Sequence, residues 1–206
     1  MKPVIALVGG VASGKSAVGA CFQKRGAVVV DADKAGHEIL HDNEVKMELR
    51  AAFGDDIFDA HGEVLRQKLG ALVFGDAEKL ATLNNITHPR IRKNTQAKIE
   101  AALTDPQVRA VVLDISLLLE SGAYEGKYSL LVFVEADEAS REKRAANTRG
   151  WGQGEVARRQ ANQLSLDEKQ RRADVVIHNN GTLEELDRQV EEVWHTYVER
   201  SAAGGH

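Results

Sequence analysis

The 206 residues carry 27 Lys and Arg against 31 Asp and Glu, a formal net charge of −4, with 43% hydrophobic and 28% charged residues. This composition is ordinary for a globular domain with a sizeable core, and it lacks the clustered basic charge by which a duplex-binding protein neutralises phosphates. Cys21 is the sole cysteine, which excludes an intramolecular disulfide, and no apolar run approaches a membrane span; a cytoplasmic protein is expected, with no nucleic-acid or membrane partner and a monomeric or weakly homo-oligomeric state.

In chain order, residues 4–8 form a short apolar, β-branched run that predicts a buried strand. Gly9-Gly10-Val11-Ala12-Ser13-Gly14-Lys15-Ser16 follows and fits G-x-x-x-x-G-K-[ST]. In this pattern glycines let backbone N–H groups converge on a polyphosphate, the lysine reaches the β- and γ-phosphates, and the serine hydroxyl binds Mg²⁺. Residues 16–24 continue with Val18, Cys21 and Phe22 at helical spacing, so strand, glycine-rich turn and helix stand in the order a phosphate-binding loop requires. A nucleoside triphosphate is the expected ligand, and residues 10–17 are its candidate contacts, the ATP site of the resemblance named below: Gly10, Val11, Ala12, Ser13, Gly14, Lys15, Ser16 and Ala17.

A second strand is predicted at 27–30, with Asp31-Ala32-Asp33 at its carboxyl end, where open α/β sheets place their ligand crevice. If the strand continues, the two aspartates point the same way and either can accept a proton from an attacking hydroxyl; Asp33 is favoured, against a reading in which the pair only caps the next helix. His37-Glu38-Ile39-Leu40-His41 fits the zinc-peptidase pattern H-E-x-x-H, but it follows Asp33 directly, without room for a separate scaffold and without the extended third histidine. From 34 to 109 the sequence shows no strand pattern. Helices are predicted over 45–53, 66–74, 77–86 and 89–103, the last opening with Pro89 in its first turn. Asp59-Ala60-His61-Gly62 fits D-x-x-G, but within this helical stretch and without an N-K-x-D partner, which argues against a guanine-nucleotide switch.

Further strands are predicted at 110–113, 130–134 and 175–177. Asp114, after the third, is a candidate acid on the metal side of the site. Arg141, Arg144 and Arg149 precede the glycine-spaced Gly150-Trp151-Gly152-Gln153-Gly154, a combination that suits a mobile phosphate lid. Asn179-Asn180-Gly181 is a turn after the last strand, either a plain turn or the lining of a nucleobase pocket. The segment 201–206 reads as a frayed tail. Together these elements predict an α/β fold of the P-loop NTPase class: three αβα layers around a five-stranded parallel sheet, with a helical acceptor-binding insertion and a lid.

Taken in order, Ala6–Ser16, the Val30-Asp31-Ala32-Asp33 strand end, Leu83-Asn84-Asn85-Ile86-Thr87-His88-Pro89, Leu117-Leu118-Leu119-Glu120-Ser121-Gly122 and the stretch from Ala173 to Gly181 resemble the dephospho-CoA kinases along nearly the whole chain. The resemblance implies transfer of the ATP γ-phosphate to the ribose 3′-hydroxyl of dephospho-CoA, the final step of coenzyme A synthesis. It implies a core at 1–33 and 108–206, a CoA-binding insertion at about 34–107 and a lid at about 140–165. Asp33, Lys15 and Arg144 are then the catalytic residues. Arg144, Arg149 and Asn179 join the ATP site. Asp33, His37, His88, Pro89, Leu118 and Glu120 are assigned to the acceptor, and Ser16, with Asp114 as a further candidate, to Mg²⁺. The chain departs from the family pattern at Ala12, where glycine is frequent, at Ala17 for threonine, at His37 for arginine and at Ser116 for proline. Ala12 is expected to be tolerated if its φ is negative. A different small-metabolite or nucleoside-monophosphate kinase on the same fold is the nearest alternative.

Overall fold

A computed structural model describes residues 2–200, so the tail at 201–206 lies outside the described residues. The elements in order are β1 (Val4–Gly9), α1 (Lys15–Lys24), β2 (Ala27–Asp31), α2 (Ala32–Glu38), a 3₁₀ turn (Ile39–His41), α3 (Asn43–Phe53), a second 3₁₀ turn (Asp55–Ile57), α4 (Arg66–Val73) and α5 (Ala77–Thr104). Then come β3 (Ala110–Asp114), α6 (Leu118–Ser121), β4 (Leu130–Glu135), α7 (Glu138–Arg149), α8 (Glu155–Gln160), α9 (Leu166–Arg172), β5 (Val175–His178), α10 (Leu183–Trp194) and a π-helical turn (His195–Glu199).

The chain divides into two compact units, one running to Val30 and resuming at Ile99, the other spanning Asp31–Lys98. In the first, the five strands lie in the order β2-β3-β1-β4-β5. β1 pairs in parallel with β3 and with β4, and β4 with β5, in registers such as Ile5 opposite Val112 and Leu130. The strands are Val, Ile and Leu runs because helices cover both faces, so alternation would bury polar groups. Ile5, Ala6, Leu7 and all of 110–113 are fully buried. One face carries α1 and α10: Val18, Cys21 and Phe22 meet Leu186, Val190 and Trp194 over Ile5, Val112 and Val132. Phe22 and Trp194 sit 6.4 Å apart, and burying each such aromatic against the sheet contributes about 2–3 kcal/mol. Arg25, just after α1, grips Asp187 of α10 through two bonds of 2.7 and 3.0 Å, and that guanidinium holds the Asp187 carboxyl down at about 2.

The second unit has its own core of Val45, Leu49, Ile57, Phe58, Leu69 and Val73, backed by Leu80, Leu83 and Ile86 from α5. α3 is capped by Asp42, whose carboxylate accepts from the Glu44 and Val45 N–H groups. The two helices predicted at 77–86 and 89–103 are one 28-residue helix with Pro89 inside it. Proline there removes the N–H that would bond Asn85, which ordinarily costs about 3 kcal/mol. Next to the gap, the Thr87 hydroxyl donates to Leu83 O at 2.9 Å and the Arg90 guanidinium to Ile86 O at 2.9 Å, and the helix continues through.

Candidate active site

β1 ends at Gly9, and the chain must turn at once into α1. An added Cβ on Gly9 would lie 2.6 Å from the Val134 carbonyl oxygen, so only glycine fits that approach. Gly14 precedes α1 with φ +92° and no side-chain cap, leaving the first N–H groups of a ten-residue helix facing the loop. Such a helix start carries partial positive charge and suits an anion. Ala12 has φ +61°, so the condition set for its easy tolerance, a negative value, is not met: the loop holds a methyl-bearing residue in the left-handed region, where a glycine would sit at less cost. Lys15 opens α1, partly buried, with Ser16 and Ala17 behind it in the first turn.

Side chains from other elements close on this loop within the first unit. The Ser16 hydroxyl donates to Asp114 Oδ2 at 3.0 Å, joining the P-loop serine to the end of β3, where Asp114 is 9% exposed. The Asn179 amide, buried after β5, donates to Ser13 O at 2.8 Å and lies against Gly14, so that any side chain on Gly14 would collide with it. Arg144 on α7 donates from Nη1 to Ser13 O at 3.2 Å and from Nη2 to Asn179 O. Lys15, Ser16, Asp114, Asn179 and Arg144, far apart in sequence, therefore belong to one constellation. The Asn179-Asn180-Gly181 turn, read either as a plain turn or as the lining of a nucleobase pocket, places Asn179 against the glycine-rich loop.

The segment expected as a lid consists of two helices, α7 and α8, joined by the non-helical glycine stretch. Gly150 (φ +65°) ends α7 and Gly154 (φ +81°) precedes α8. Arg149 and Arg159 lay their guanidinium groups 4.7 and 4.1 Å from the centre of the Trp151 ring. Arg149, expected at the ATP, stands here over the indole. Arg158 and Arg159 both bind Glu155, which they hold down at about 2. α7 and α8 meet the P-loop through Val11, Ala145 and Val156, with Ala12 and Trp151 against them, and the Val11 N–H donates to Gln160 Oε1 at 2.9 Å.

Leu118 is buried on α6, lining a cavity of about 290 Å³ with Tyr128, Leu131 and Arg172. Glu120 Oε1 accepts from the Leu164 N–H at 3.0 Å and from the Lys169 ammonium at 2.9 Å. Burial pushes the Glu120 carboxyl up, but Lys169 and the backbone donors outweigh it and the net shift is downward. Lys169 is 2% exposed and also donates to Gln163, so Glu120 ties α6 to the segment after α8 and to α9.

β2 does not run on through the D-A-D. The strand stops at Asp31, whose carboxylate caps α2 by accepting from the Lys34 N–H at 2.9 Å, and Asp33 lies exposed in the first helical turn. The two aspartates thus have separate roles, the first structural, because helical geometry replaces the alternation of a strand. His37, exposed on α2, is 2.5 Å from an Arg66 guanidinium nitrogen. His41 lies beyond the end of α2 and pairs with Glu63 at 2.8 Å. The H-E-x-x-H histidines thus have unrelated partners, and among the described residues no group of three or more His, Cys, Asp and Glu could hold a metal. Asp59 of the D-x-x-G closes a tight turn by accepting from His61 and Glu63. His88 and Pro89 are exposed in the middle of α5.

Three residues with contacts here received no individual site role from sequence: Arg141, Gln160 and Lys169. Arg141 precedes Arg144 by three positions and so shares its helix face, a signal available in the sequence; Gln160 and Lys169 sit among many polar neighbours and have none.

A family model described as dephospho-CoA kinase matches residues 3–185. Dephospho-CoA kinases from Leifsonia xyli and Geobacillus kaustophilus are each 41% identical to the chain, over 93% and 92% of it and 96% and 94% of their own lengths. A solved dephospho-CoA kinase from Campylobacter jejuni superposes with a TM-score of 0.73 at 25% identity, covering 98% of this chain and all of the other. A Thermus thermophilus structure superposes with a TM-score of 0.78 at 31% identity over 95% of this chain and 98% of its own. A P-loop cradled by Asp114, Asn179 and Arg144, on a sheet of this order and with relatives this near over nearly full length, leads to one conclusion: the chain belongs to the dephospho-CoA kinase family.

Proposed function

We propose that the protein transfers the γ-phosphoryl group of ATP to the ribose 3′-hydroxyl of dephospho-CoA, giving coenzyme A and ADP. The observation that carries this reading is the joining of the P-loop to the strand ends, above all the Ser16–Asp114 hydrogen bond next to Lys15 in the chain. The hydroxyl and carboxylate are hard oxygen donors, the chemistry Mg²⁺ takes when it keeps most of its remaining shell for water and phosphate. Ser16 and Asp114 would hold the ion, which when bound supplies charge neutralisation on the phosphates.

In the proposed reaction the P-loop amides and Lys15 bind and orient the phosphates, and Ala17 continues the first turn beneath them. Arg144 and Asn179 hold Ser13 from behind and fix the loop's curvature. Asp33 orients the 3′-hydroxyl and receives its proton as the O3′–phosphorus bond forms and the bond to the ADP oxygen breaks. His37, its neighbour Arg66, and His88 and Pro89 are assigned to the acceptor. Leu118 is assigned to it as well, while Glu120 serves it indirectly by fixing α6. The helices of the lid exclude water, which limits hydrolysis of ATP.

The test is ADP formation by purified protein with Mg-ATP, with and without dephospho-CoA, beside Lys15→Ala. Release that requires dephospho-CoA and disappears in the variant is expected. ATP binding without dephospho-CoA-dependent release would remove the acceptor assignment, and a panel of small hydroxyl acceptors and nucleoside monophosphates would identify the true one.

A further inference from the structure

The arginines of the lid and its borders differ in what they already hold. Arg144 spends both terminal nitrogens on the Ser13 and Asn179 carbonyls. Arg149 and Arg159 lie on Trp151, and Arg158 is bound by Glu155. Arg141 is different. It is 8% exposed, yet its Nε and Nη1 groups are buried with no hydrogen-bond partner. Its guanidinium lies against the P-loop: a Cβ on Gly10 would be 3.0 Å from Nη1. One residue on, the Val11 N–H already has an acceptor oxygen in front of it, Oε1 of Gln160. Arg141 and Gln160 line the same cavity of about 420 Å³ with Glu138, Gln163 and Ser165.

A buried guanidinium with two unmet donors is costly unless something completes it, and the complement of such a fork is a pair of anionic oxygens. The Glu138 carboxylate lines the cavity but makes no hydrogen bond to Nε or Nη1. We infer that Arg141 is a further catalytic residue, a ligand of the transferred phosphoryl oxygens beside Gly10 and Val11, and that Gln160 holds the Val11 N–H in their absence. Arg144 then acts as a positioning residue for the loop. As the 3′-oxygen bonds to phosphorus and ADP departs with the electron pair, charge spreads over the transferred group, and Arg141 meets it there; the hydroxyl proton goes to Asp33. This assignment rests on the nucleotide site proposed above.

The experiment combines calorimetric titration of ATP, ADP and dephospho-CoA with turnover, for Arg141→Gln, Arg141→Met, Arg141→Lys and Lys15→Ala. With Arg141→Gln, turnover is expected to fall about 10²-fold and ATP affinity about 10-fold, with ADP within about threefold of the parent. Arg141→Met keeps the packing and is expected to fall equally; Arg141→Lys keeps a charge without the fork and is expected to recover only part. If Arg141→Met turns over normally, or all nucleotides weaken together, Arg141 is packing and the inference is wrong. Selective loss of dephospho-CoA affinity would place the anion on the acceptor and also overturn it. Should Arg141→Gln fail to fold, the ATP-to-ADP ratio in Arg141→Lys decides. Undiminished ATP binding by Lys15→Ala would instead overturn the nucleotide site itself.

Discussion

Asp31 and Asp33 show how two identical side chains two positions apart come to do different work. Asp31 is consumed by the cap of α2, whereas Asp33 stands exposed in the first turn. Asp33→Asn keeps the shape and removes the proposed base, so kcat for phosphoryl transfer is expected to fall about 10²-fold with ATP affinity unchanged; steady-state kinetics beside nucleotide titration checks this. Ala12 offers a stability prediction. Its left-handed backbone costs roughly 1 kcal/mol or more, and the extra freedom of glycine in the unfolded chain returns part of that. Ala12→Gly is therefore expected to raise stability by about 0.5 kcal/mol, seen as a higher denaturant midpoint at unchanged slope. The P-loop was legible because its chemistry is contiguous. The sign of φ at Ala12 was not, since it depends on how the loop seats against the strand ends and the lid. Arg144 and Asn179 could be named from the family pattern, but only folding shows that they share the Ser13 carbonyl.

Among the elements, α1 and α10 are joined by the Arg25–Asp187 pair, and this gives a pH prediction with a definite sign. The Asp187 carboxyl sits at about 2 when folded and near 3.9 when unfolded, so its contribution is complete above about pH 4 and is lost as pH falls towards 2. Asp187→Asn is expected to lower stability at neutral pH by about 1 kcal/mol and to flatten that part of the acid unfolding curve. Glu155 behaves likewise between about 4.5 and 2, and its loss is expected to loosen α8 with little effect on the sheet, which hydrogen exchange of the α8 amides would register. The five strands and α1, α3 and α4 were readable to within a residue or two of their ends, whereas α2 and α6 to α10 were given no bounds from the sequence. Pro89 was the exception. Proline normally marks a start, and nothing local announces that Thr87 and Arg90 bond carbonyls beside the gap it leaves.

At the scale of the whole molecule, five apolar runs separated by helices announced a parallel sheet, but not the order β2-β3-β1-β4-β5. Strand order is a matter of which crossover lands where, and each strand is apolar on both faces, so none carries a mark of its neighbours. The order nonetheless sets the site, because it puts β1 between β3 and β4 and so brings Asp114 beside Ser16. Nucleotide is expected to stabilise the fold through this site: ATP at a hundred times its dissociation constant adds about 2.7 kcal/mol, and the accompanying rise in Tm should vanish in Lys15→Ala.

The two tryptophans occupy contrasting surroundings. Trp194 is 2% exposed in the core beside Phe22, while Trp151 is half-buried between α7 and α8 in the chain, with two arginines over its ring. The chain thus carries its own pair of fluorophores, one reporting the fold and one reporting whether Arg149 and Arg159 have left the indole. With Trp194→Phe only the second remains, and its emission during ATP addition follows the lid in real time, with no dye attached.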